Sequence, residues 1–527
     1  MKTKIILLGA VASMCLFGCK NNNGADEYDG DKLKVSFRNL YFDNYSGGDS
    51  YIKEVEDMFG LSFKLEPYSW QDWTTQVNGH VLAGNSPDVF HANIDSYNFV
   101  SYYKYWAEDK VIKQLPDDLS NWPNLKRMID NTSNIEALKL DGHLYGIPIA
   151  KNTTDFSTSF SPFTYLYRRD WAKQYGVYQE NDEYTWEQFN TLLDKFNREL
   201  SGKRKFALGD VEWGFPSITN FYKQVPHCFA YDETERKYVN NYSTDEYILG
   251  LEKSKEFAIT DKYYSSDQYT ATEGKMNEKY YSNQCGVLYE NLSYSNMEAL
   301  RIQLKRTNVN DKDFNVDDAT AIMKIKGPDG KYALEGTDNW FSMTFINNNI
   351  SEMKLNKILD LYDWLLSESG TNFAIYGFEG YDYTKDETGK VEIVRDRWYN
   401  DDGSLIDRVN GAKYLRYMLS LGYDTLEYDP MTEKSVVQYL NDWDAQMKTA
   451  LADGELRVLK ESPEVMWLTS EKKALHSGTL RTNALKTVTK YVFDKIKSIN
   501  DYKSDRAISN GTWDQVLDEI NTVLGGN

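Results

Sequence analysis

The pattern of apolar and polar residues near the start of the chain alternates between the periods of strands and helices. Leu33–Phe37, Phe63–Glu66 and the run beginning at Ser86 resemble short strands, whereas Ser50–Phe59 and Trp70–Leu82 have helical spacing. A β-α-β-α-β order favours a parallel sheet with helices packed on its faces. We therefore expect an α/β fold in which a ligand binds beyond the carboxyl ends of the strands.

A second pattern lies further along the chain, where a Trp-bearing strand, Thr337–Ile346, leads into a helix. Apolar residues in this helix recur every three or four positions, which predicts one buried face. They are Leu355, Ile358, Leu359, Tyr362, Leu365 and Leu366. We expect Ser351 to cap the helix at its N-terminus and Gly370 to end it.

Length, composition and charge narrow the range of functions. The chain has 527 residues, a length that suits two large lobes. It contains 40 Tyr and 13 Trp, whose flat apolar faces and polar edges suit a sugar-binding cleft, although any one of them could instead fill a core. The formal charge of −20 argues against nucleic acid as a partner and favours an uncharged ligand.

The first residues have the features of an export signal. Lys2 and Lys4 precede an apolar run, Ile5–Phe17, that is too short to span a membrane as a stable helix. The run leads into Cys19, and Leu-Phe-Gly-Cys resembles a bacterial lipobox, which implies cleavage before Cys19 and lipid on its sulfur. Residues 1–18 are thus predicted to be a signal peptide and 19–32 a lipidated polar tether. A plain secretory signal fits less well.

Five short motifs, in order along the chain, resemble the large solute-binding lipoproteins of carbohydrate ABC importers, extracellular family 1. They are Gly84–Phe90, Asp141–Pro148, Thr185–Phe189, the strand that bears Trp340, and Tyr376–Tyr383. Each motif is short, and their common order carries the resemblance. Thr185 is also a physically sensible N-cap for the helix that follows it, and Thr512 is expected to cap the last helix of the chain.

This resemblance implies a periplasmic-binding-protein-like fold of type II, with two α/β lobes joined by a hinge and a ligand cleft between them. We expect residues 33–149 and about 334–428 in the N-terminal lobe, and 150–333 and about 429–527 in the C-terminal lobe. The implied function is capture of a carbohydrate, such as an oligosaccharide, and its delivery to an ABC permease. A monomer anchored by lipid at the extracytoplasmic face of the cell membrane is expected.

The candidate ligand contacts come from strand ends and from the family motifs. Trp340 is the leading candidate for a platform on which a sugar ring stacks, and Glu379 for an acceptor of hydrogen bonds from hydroxyl groups. The other candidates are Tyr41, Asn93, Asp95, Trp213, Tyr289, Asn291 and Tyr381. Each of them could equally be an ordinary loop or packing residue.

The sequence predicts neither a metal nor another cofactor. Some family members carry a calcium loop after the helix that starts near Thr185, but residues 201–206 here hold basic residues in place of oxygen ligands. Five histidines in the whole chain also argue against a His-based metal site. Cys228 and Cys285 could pair in an exported protein, and the sequence leaves this open.

Two other functions fit the sequence less well. A glycan-degrading lipoprotein would need a pair of catalytic carboxylates, but among 80 acidic residues such pairs carry no information. The chain lacks Gly-x-Ser-x-Gly, His-Glu-x-x-His and phosphate-binding loops, which favours a binding protein over an enzyme. A glycan-docking surface lipoprotein built from helical repeats conflicts with the β-α-β opening and with the lack of a repeat.

Overall fold

The computed structural model describes residues 26–40, 42, 50–69, 72–92, 99–150, 160–161, 163–200, 205–210, 217–222, 227–265, 268, 274–387, 389, 391–398, 414–415, 417–418, 433–468 and 470–525. The strands are β1 Tyr28–Asp29, β2 Lys32–Asn39, β3 Leu61–Pro67, β4 Val89–Ala92, β5 Ile147–Ala150, β6 Phe163–Arg168, β7 Glu183–Tyr184, β8 Phe206–Gly209, β9 Phe229–Asp232, β10 Lys237–Asn240, β11 Cys285–Asn291, β12 Thr320–Ile325, β13 Tyr332–Glu335, β14 Trp340–Ile346, β15 Tyr383–Lys385, β16 Val391–Ile393 and β17 Leu456–Leu459.

The α-helices are α1 Ser50–Phe59, α2 Trp73–Leu82, α3 Phe99–Glu108, α4 Pro123–Asp130, α5 Arg169–Gln174, α6 Trp186–Leu200, α7 Asp245–Lys255, α8 Lys275–Tyr281, α9 Tyr294–Thr307, α10 Val316–Ala319, α11 Glu352–Leu365, α12 Glu368–Tyr376, α13 Arg395–Trp398, α14 Lys434–Ala452, α15 Pro463–Met466, α16 Glu471–Val492, α17 Ile499–Ser504 and α18 Gly511–Leu524. A 3₁₀ turn, Ser217–Tyr222, follows β8 in sequence.

The first large sheet has six strands and confirms the predicted β-α-β-α-β opening. β2 is parallel to both β3 and β4, with α1 and α2 as the connections. β14 then runs antiparallel between β4 and β5, so a strand from residue 340 onwards completes a sheet begun before residue 40. The apolar faces of α1, α4 and α11 pack with this sheet in one core, which contains Val35, Val55, Leu125 and Ile358.

The second large sheet has five strands in the order β7-β12-β6-β11-β8. Its two faces bury different clusters, because side chains alternate along a strand. Tyr165 and Tyr289 pack on one face with Phe189 of α6, and Leu166 and Leu288 pack on the other with helices α9 and α14.

A third apolar cluster is helical. α7, α16, α17 and α18 pack around Tyr247, Leu480, Val488 and Trp513, beside the hairpin formed by β9 and β10. The long helix α16 thus buries its apolar residues within this helical cluster. Cys228 lies in this cluster and Cys285 in the second sheet, and both are buried free thiols.

Two of the predicted helix caps are confirmed. Ser351 Oγ accepts a hydrogen bond from Lys354 N at 3.0 Å. Thr185 Oγ1 accepts from Gln188 N at 3.2 Å, while Gln188 Oε1 accepts from Thr185 N at 2.8 Å, which forms a capping box. These caps were predictable because they depend only on residues three positions apart.

Two helix-end predictions were wrong. Thr512 lies inside α18, and the cap is Asn510, whose side chain accepts from the backbone N–H of Thr512 and Trp513. Gly370 does not end α11, which stops at Leu365; it lies in the first turn of α12. The reason for glycine there is packing, because a Cβ on Gly370 would lie 1.9 Å from the carbonyl oxygen of Trp364.

The assignment of chain segments to lobes remains a prediction. Residues 414–415 and 417–418 and Trp467 contribute to the core of the first sheet. The predicted boundary at 333/334 falls inside β13, which pairs in parallel with β17 rather than with either large sheet. Here the chain therefore has a separate two-stranded connection.

We predict that Gly370→Ala destabilises the fold, whereas Gly79→Ala does not. The added methyl at position 370 meets the Trp364 carbonyl and should cost about 1–3 kcal/mol or more. Gly79 is an exposed helical glycine with nothing within 4 Å of a Cβ, so alanine should stabilise α2 by roughly 0.5–1 kcal/mol. Urea unfolding of both variants measures the difference, and equal midpoints would contradict the packing role.

Candidate functional site

Each large sheet has an edge where several strands end together. In the first sheet, the carboxyl ends of β2, β4 and β5 share an edge with the start of β14, and the terminal residues are Asn39, Ala92, Ala150 and Trp340. In the second sheet, the start of β6 shares an edge with the carboxyl ends of β8, β11 and β12, and the terminal residues are Phe163, Gly209, Asn291 and Ile325. These are the edges at which the sequence predicts ligand contacts.

Both edges lead into one connection, which we call the crossing: residues 160–161, β13 with Gly336 to Asn339, and β17 with Lys460. Ser161 N donates to Glu335 O at 2.7 Å, and Gly336 N donates to Leu459 O at 2.9 Å. Phe160 also forms a bridge with Gly336. Three chain segments distant in sequence are thus held together by backbone hydrogen bonds between the two sheets.

A buried carboxylate fixes the end of the crossing nearest the first sheet. Asp338 Oδ1 accepts from Lys460 Nζ and from Asn134 Nδ2, each at 2.7 Å. The neighbouring Asn339 Oδ1 accepts from Ser133 N at 2.9 Å. Charge-assisted hydrogen bonds of this kind are roughly twice as strong as neutral ones, so they tie the crossing firmly to the turn after α4.

Trp340 lies where the crossing enters the first sheet. Its Nε1 donates to Ser133 O at 3.0 Å, and its ring stacks on Trp467 with centroids 4.9 Å apart and planes 29° apart. The side chain is only 4% exposed. Trp340 as a stacking platform for a sugar remains a prediction, and in this conformation Trp467 covers one face of its ring.

The strand ends of the first sheet carry a buried chain of neutral polar groups. His91 Nδ1 contacts Asn39 Oδ1 at 3.1 Å, its Nε2 contacts Ser342 Oγ, and Trp73 Nε1 donates to His91 O at 3.0 Å. Burial lowers the pKa of His91 to about 3, so the imidazole is neutral at neutral pH. Asn39 Nδ2 donates to Tyr417 O at 2.9 Å.

The strand ends of the second sheet are aromatic. The rings of Tyr165 and Tyr289 lie 4.8 Å apart, and Asn220 Nδ2 donates to Tyr289 Oη at 3.3 Å. Buried Asp210 follows β8, and its Oδ2 accepts from Ser217 Oγ at 3.0 Å. Burial first, and then the Glu335 and Asp210 carboxylates, raise the pKa of Tyr289 well above its ordinary value, so the phenol keeps its proton.

The other described candidates lie on two separate elements. Asn291 ends β11, and its Oδ1 accepts from Ser293 N at 3.0 Å. Glu379 and Tyr381 share the turn before β15, where Tyr383 Oη donates to Glu379 Oε2 at 3.2 Å and the Arg397 guanidinium lies 3.7 Å above the Tyr381 ring. The structure thus pairs Tyr289 with Asn291 and Glu379 with Tyr381, while Trp340 lies at the crossing.

Five predicted positions lie outside the described residues: Cys19, Tyr41, Asn93, Asp95 and Trp213. Several residues in or beside the described strand ends and crossing were not predicted from the sequence, namely Ser133, His91, Asn220, Ser342 and Trp467. His91 and Ser342 are polar residues within apolar strands, which is a weak sequence signal. No local pattern indicates Trp467, because it follows a short helix far along the chain.

Two further observations concern the described residues alone. No group of three or more His, Cys, Asp or Glu among them is arranged to hold a metal ion. Within the same ranges, every helix is too short or too polar to cross a membrane.

The buried His91 predicts a pH dependence of stability. Its pKa is about 3 in the fold and about 6.5 when unfolded, so between these values the unfolded chain binds the additional proton. Stability is therefore lost as the pH falls through 6.5 towards 3. His91→Asn, which keeps one donor and one acceptor, should reduce the loss between pH 7 and pH 5 by about 2 kcal/mol in urea unfolding.

The control for this measurement is Met128→Leu, a volume-conserving change at a buried residue of the same core. This variant should keep the pH dependence of the parent protein, because it removes no titratable side chain. The same loss of stability in the parent and in His91→Asn would show that His91 does not exclude the proton.

Comparison with known proteins identifies the family. The family model described as bacterial extracellular solute-binding protein matches residues 50–344. The polygalacturonan/rhamnogalacturonan-binding protein YtcQ of Bacillus subtilis (strain 168) is 22% identical over 433 residues, which is 76% of this chain and 78% of that protein.

Two solved structures illustrate the shared fold. The alginate-binding protein AlgQ2 without calcium ion is 14% identical, with a TM-score of 0.64, and the match covers 93% of this chain and 94% of that one. An extracellular solute-binding protein from Bifidobacterium longum subsp. infantis is also 14% identical, with a TM-score of 0.62 over 95% of this chain and 96% of that one. The predicted periplasmic-binding-protein-like α/β fold is confirmed.

Residues 50–344 are more than half of the 527-residue chain. The match therefore includes most of the first sheet and the whole of the second sheet. It also includes Trp340 and the parts of the crossing formed by residues 160–161 and by β13 with Gly336 to Asn339. The chain belongs to the bacterial extracellular solute-binding protein family, whose members are binding proteins that act outside the cytoplasm.

Proposed function

We propose that this protein is the substrate-binding component of an ABC transporter, which captures an oligosaccharide and delivers it to the membrane permease. The observation that carries the proposal is the crossing, at which an edge of neutral polar groups and an aromatic edge meet. Aromatic faces cover the C–H surface of sugar rings, and neutral donors and acceptors pair with hydroxyl groups. The function requires no covalent chemistry.

The names of similar proteins support a carbohydrate ligand. YtcQ is named for polygalacturonan and rhamnogalacturonan, and AlgQ2 for alginate. An HMO-binding, ABC-transporter-associated solute-binding protein from Bifidobacterium longum infantis ATCC 15697 is 14% identical with a TM-score of 0.60, and an N-glycan transport solute-binding protein from Streptococcus pneumoniae has a TM-score of 0.56. These ligands differ widely, so they support the class of ligand and not a particular sugar.

The proposed lobes are those of the sequence prediction: 33–149 with about 334–428, and 150–333 with about 429–527. Closure of the lobes about the crossing would bury the ligand, and the closed form would be the one that the permease recognises. Trp340, Glu379, Tyr41, Asn93, Asp95, Trp213, Tyr289, Asn291 and Tyr381 are the proposed contacts. We propose a monomer that acts without a cofactor.

A thermal-shift screen over oligosaccharides tests the function. A ligand that binds only the folded protein adds about 2.7 kcal/mol to the free energy of unfolding when its concentration is a hundred times Kd. The melting temperature rises as a result. Trp340→Ala should abolish most of that rise in melting temperature. The control is Trp122→Ala, which removes a buried indole that donates a hydrogen bond to Asp360 of α11. This variant should keep the rise, measured from its own melting temperature without ligand. Cleavage of the bound sugar by the pure protein would contradict a binding protein.

We also propose that lipid on Cys19 anchors the protein to the extracytoplasmic face of the membrane. The tether would end before Tyr28–Asp29, which pair with β2 in the first sheet, so its predicted end at residue 32 was too late. The lipobox in the sequence is the support for this arrangement. Expressed in a bacterial host, the parent protein should sediment with membranes and partition into a detergent phase. Cys19→Ala should keep its signal uncleaved and take up no labelled fatty acid, whereas the parent protein should take it up. Equal labelling of the parent and the variant would exclude lipid at this residue.

A further inference from the structure

A small cavity adjoins the aromatic edge of the second sheet. It is lined by strand-end residues of β6, β11 and β12, by β13, by the 3₁₀ turn after β8 and by α14. Most of its wall is apolar, with contributions from Phe163, Tyr165, Phe221, Met323, Trp443 and Met447. The cavity therefore lies between the second sheet and the crossing strand β13.

One polar atom in this wall has no partner among the described residues, and a neighbouring hydroxyl has a hydrogen left to donate. Asn220 is 5% exposed, and no described residue donates a hydrogen bond to its Oδ1. Tyr289 Oη accepts from Asn220 Nδ2 at 3.3 Å, so the phenol has already used a lone pair and keeps its own hydrogen to donate. An unpaired buried acceptor is costly, so a group that donates to Asn220 Oδ1 would relieve that cost.

The position of Asn220 is fixed by the crossing. Arg457 of β17 donates through Nη2 to the backbone carbonyl oxygens of Asn220, at 3.4 Å, and Phe221, at 3.3 Å. Arg457 is itself paired with Asp329. Contacts with a strand therefore hold the backbone of Asn220 in place. An acceptor in a fixed position favours binding of one ligand group over loosely bound water.

Size limits what can enter. The cavity volume is about 30 Å³, room for about two water-sized groups at roughly 10–15 Å³ each. A sugar ring does not fit, but a single exocyclic substituent does. A hydroxymethyl group has two heavy atoms, a methylene that can contact the apolar wall and a hydroxyl that can both donate and accept.

The charges around the cavity favour a neutral substituent over a carboxylate. Glu335, Asp210 and Glu290 all act on Tyr289 and raise its pKa, so this side of the second sheet has a negative field. Lys324 also lines the cavity, but its Nζ donates to Gln446 Oε1 at 2.9 Å. A carboxylate would meet the Asn220 acceptor without a proton to give, within that field.

We infer that this cavity receives the hydroxymethyl group of a neutral hexose unit, whose hydroxyl donates to Asn220 Oδ1 and accepts from Tyr289 Oη. The inference rests on the proposed function and goes beyond it in ligand class. It assigns selectivity for hexose oligosaccharides over uronates, which carry a carboxylate at the same carbon, and over pentose and 6-deoxy sugars, which lack the hydroxyl.

The test compares sugars that differ at that carbon alone. The first series compares cello-oligosaccharides with xylo-oligosaccharides and with C6-oxidised cello-oligosaccharides. Two further series compare manno-oligosaccharides and galacto-oligosaccharides with their uronate counterparts. All probes have the same number of sugar units. Calorimetry should show the hexose member of at least one series binding best, by about tenfold or more. Stronger binding of a uronate or pentose member would overturn the inference while leaving a carbohydrate-binding function intact.

Two variants test the residues directly. Asn220→Leu keeps the branched shape of the side chain and replaces both of its polar atoms with methyl groups, whereas Tyr289→Phe removes the hydroxyl alone. Each should weaken binding of the preferred hexose about 10- to 100-fold. Affinity for the xylo-oligosaccharide should fall much less, so that the ratio of hexose to pentose affinity falls in both variants. The selectivity ratio is the readout, because general destabilisation would not move it.

Matched controls come from the same core, outside the cavity lining. Asn197→Leu removes a side chain that donates to Asp261 O, and Tyr263→Phe removes a hydroxyl that donates to Asp194. Both should keep the parent's selectivity ratio. An unchanged ratio in Asn220→Leu and Tyr289→Phe, with hexose still bound, would show that the cavity holds only water. Failure of every oligosaccharide to bind would overturn the proposed function and this inference together.

Discussion

Backbone hydrogen bonds of the crossing connect the edges of the two large sheets. Ser161 N to Glu335 O and Gly336 N to Leu459 O join three segments that lie far apart in sequence. Because backbone groups make these bonds, the geometry does not depend on particular side chains. The side chains are left to fix orientation, through Asp338 on the side of the first sheet and Arg457 on the side of the second.

Two titratable groups at the edges stay uncharged inside a strongly acidic protein. His91 is held uncharged by burial, and Tyr289 keeps its proton for the same reason. Asp210, the buried carboxylate at the second edge, has its Oδ2 occupied by Ser217 and Tyr264 hydroxyls. Together with Glu335 and Glu290, it gives the surroundings of Tyr289 a negative field. Such an environment is suited to hydroxyl groups and costly for anions.

The parts of the structure that were predictable from sequence depend on local patterns. The parallel opening of the first sheet and the caps Ser351 and Thr185 follow from spacing within one element. The role of Gly370 was not predictable, because it depends on how α12 approaches the last turn of α11. The stack of Trp467 on Trp340 joins residues 127 positions apart, and no local pattern indicates such a pair.

The position of β14 between β4 and β5 has a consequence for the order in which the protein can assemble. A growing or translocating chain that has not reached Ile346 lacks the strand that joins the two parts of the first sheet. The edges of β4 and β5 then offer unpaired backbone groups to any other strand nearby. The second sheet, by contrast, is contiguous from Phe163 to Ile325 and can form earlier. Synthesis of the first sheet thus begins before that of the second sheet and is completed after it. The unpaired strands of the first sheet therefore need protection from aggregation for longer.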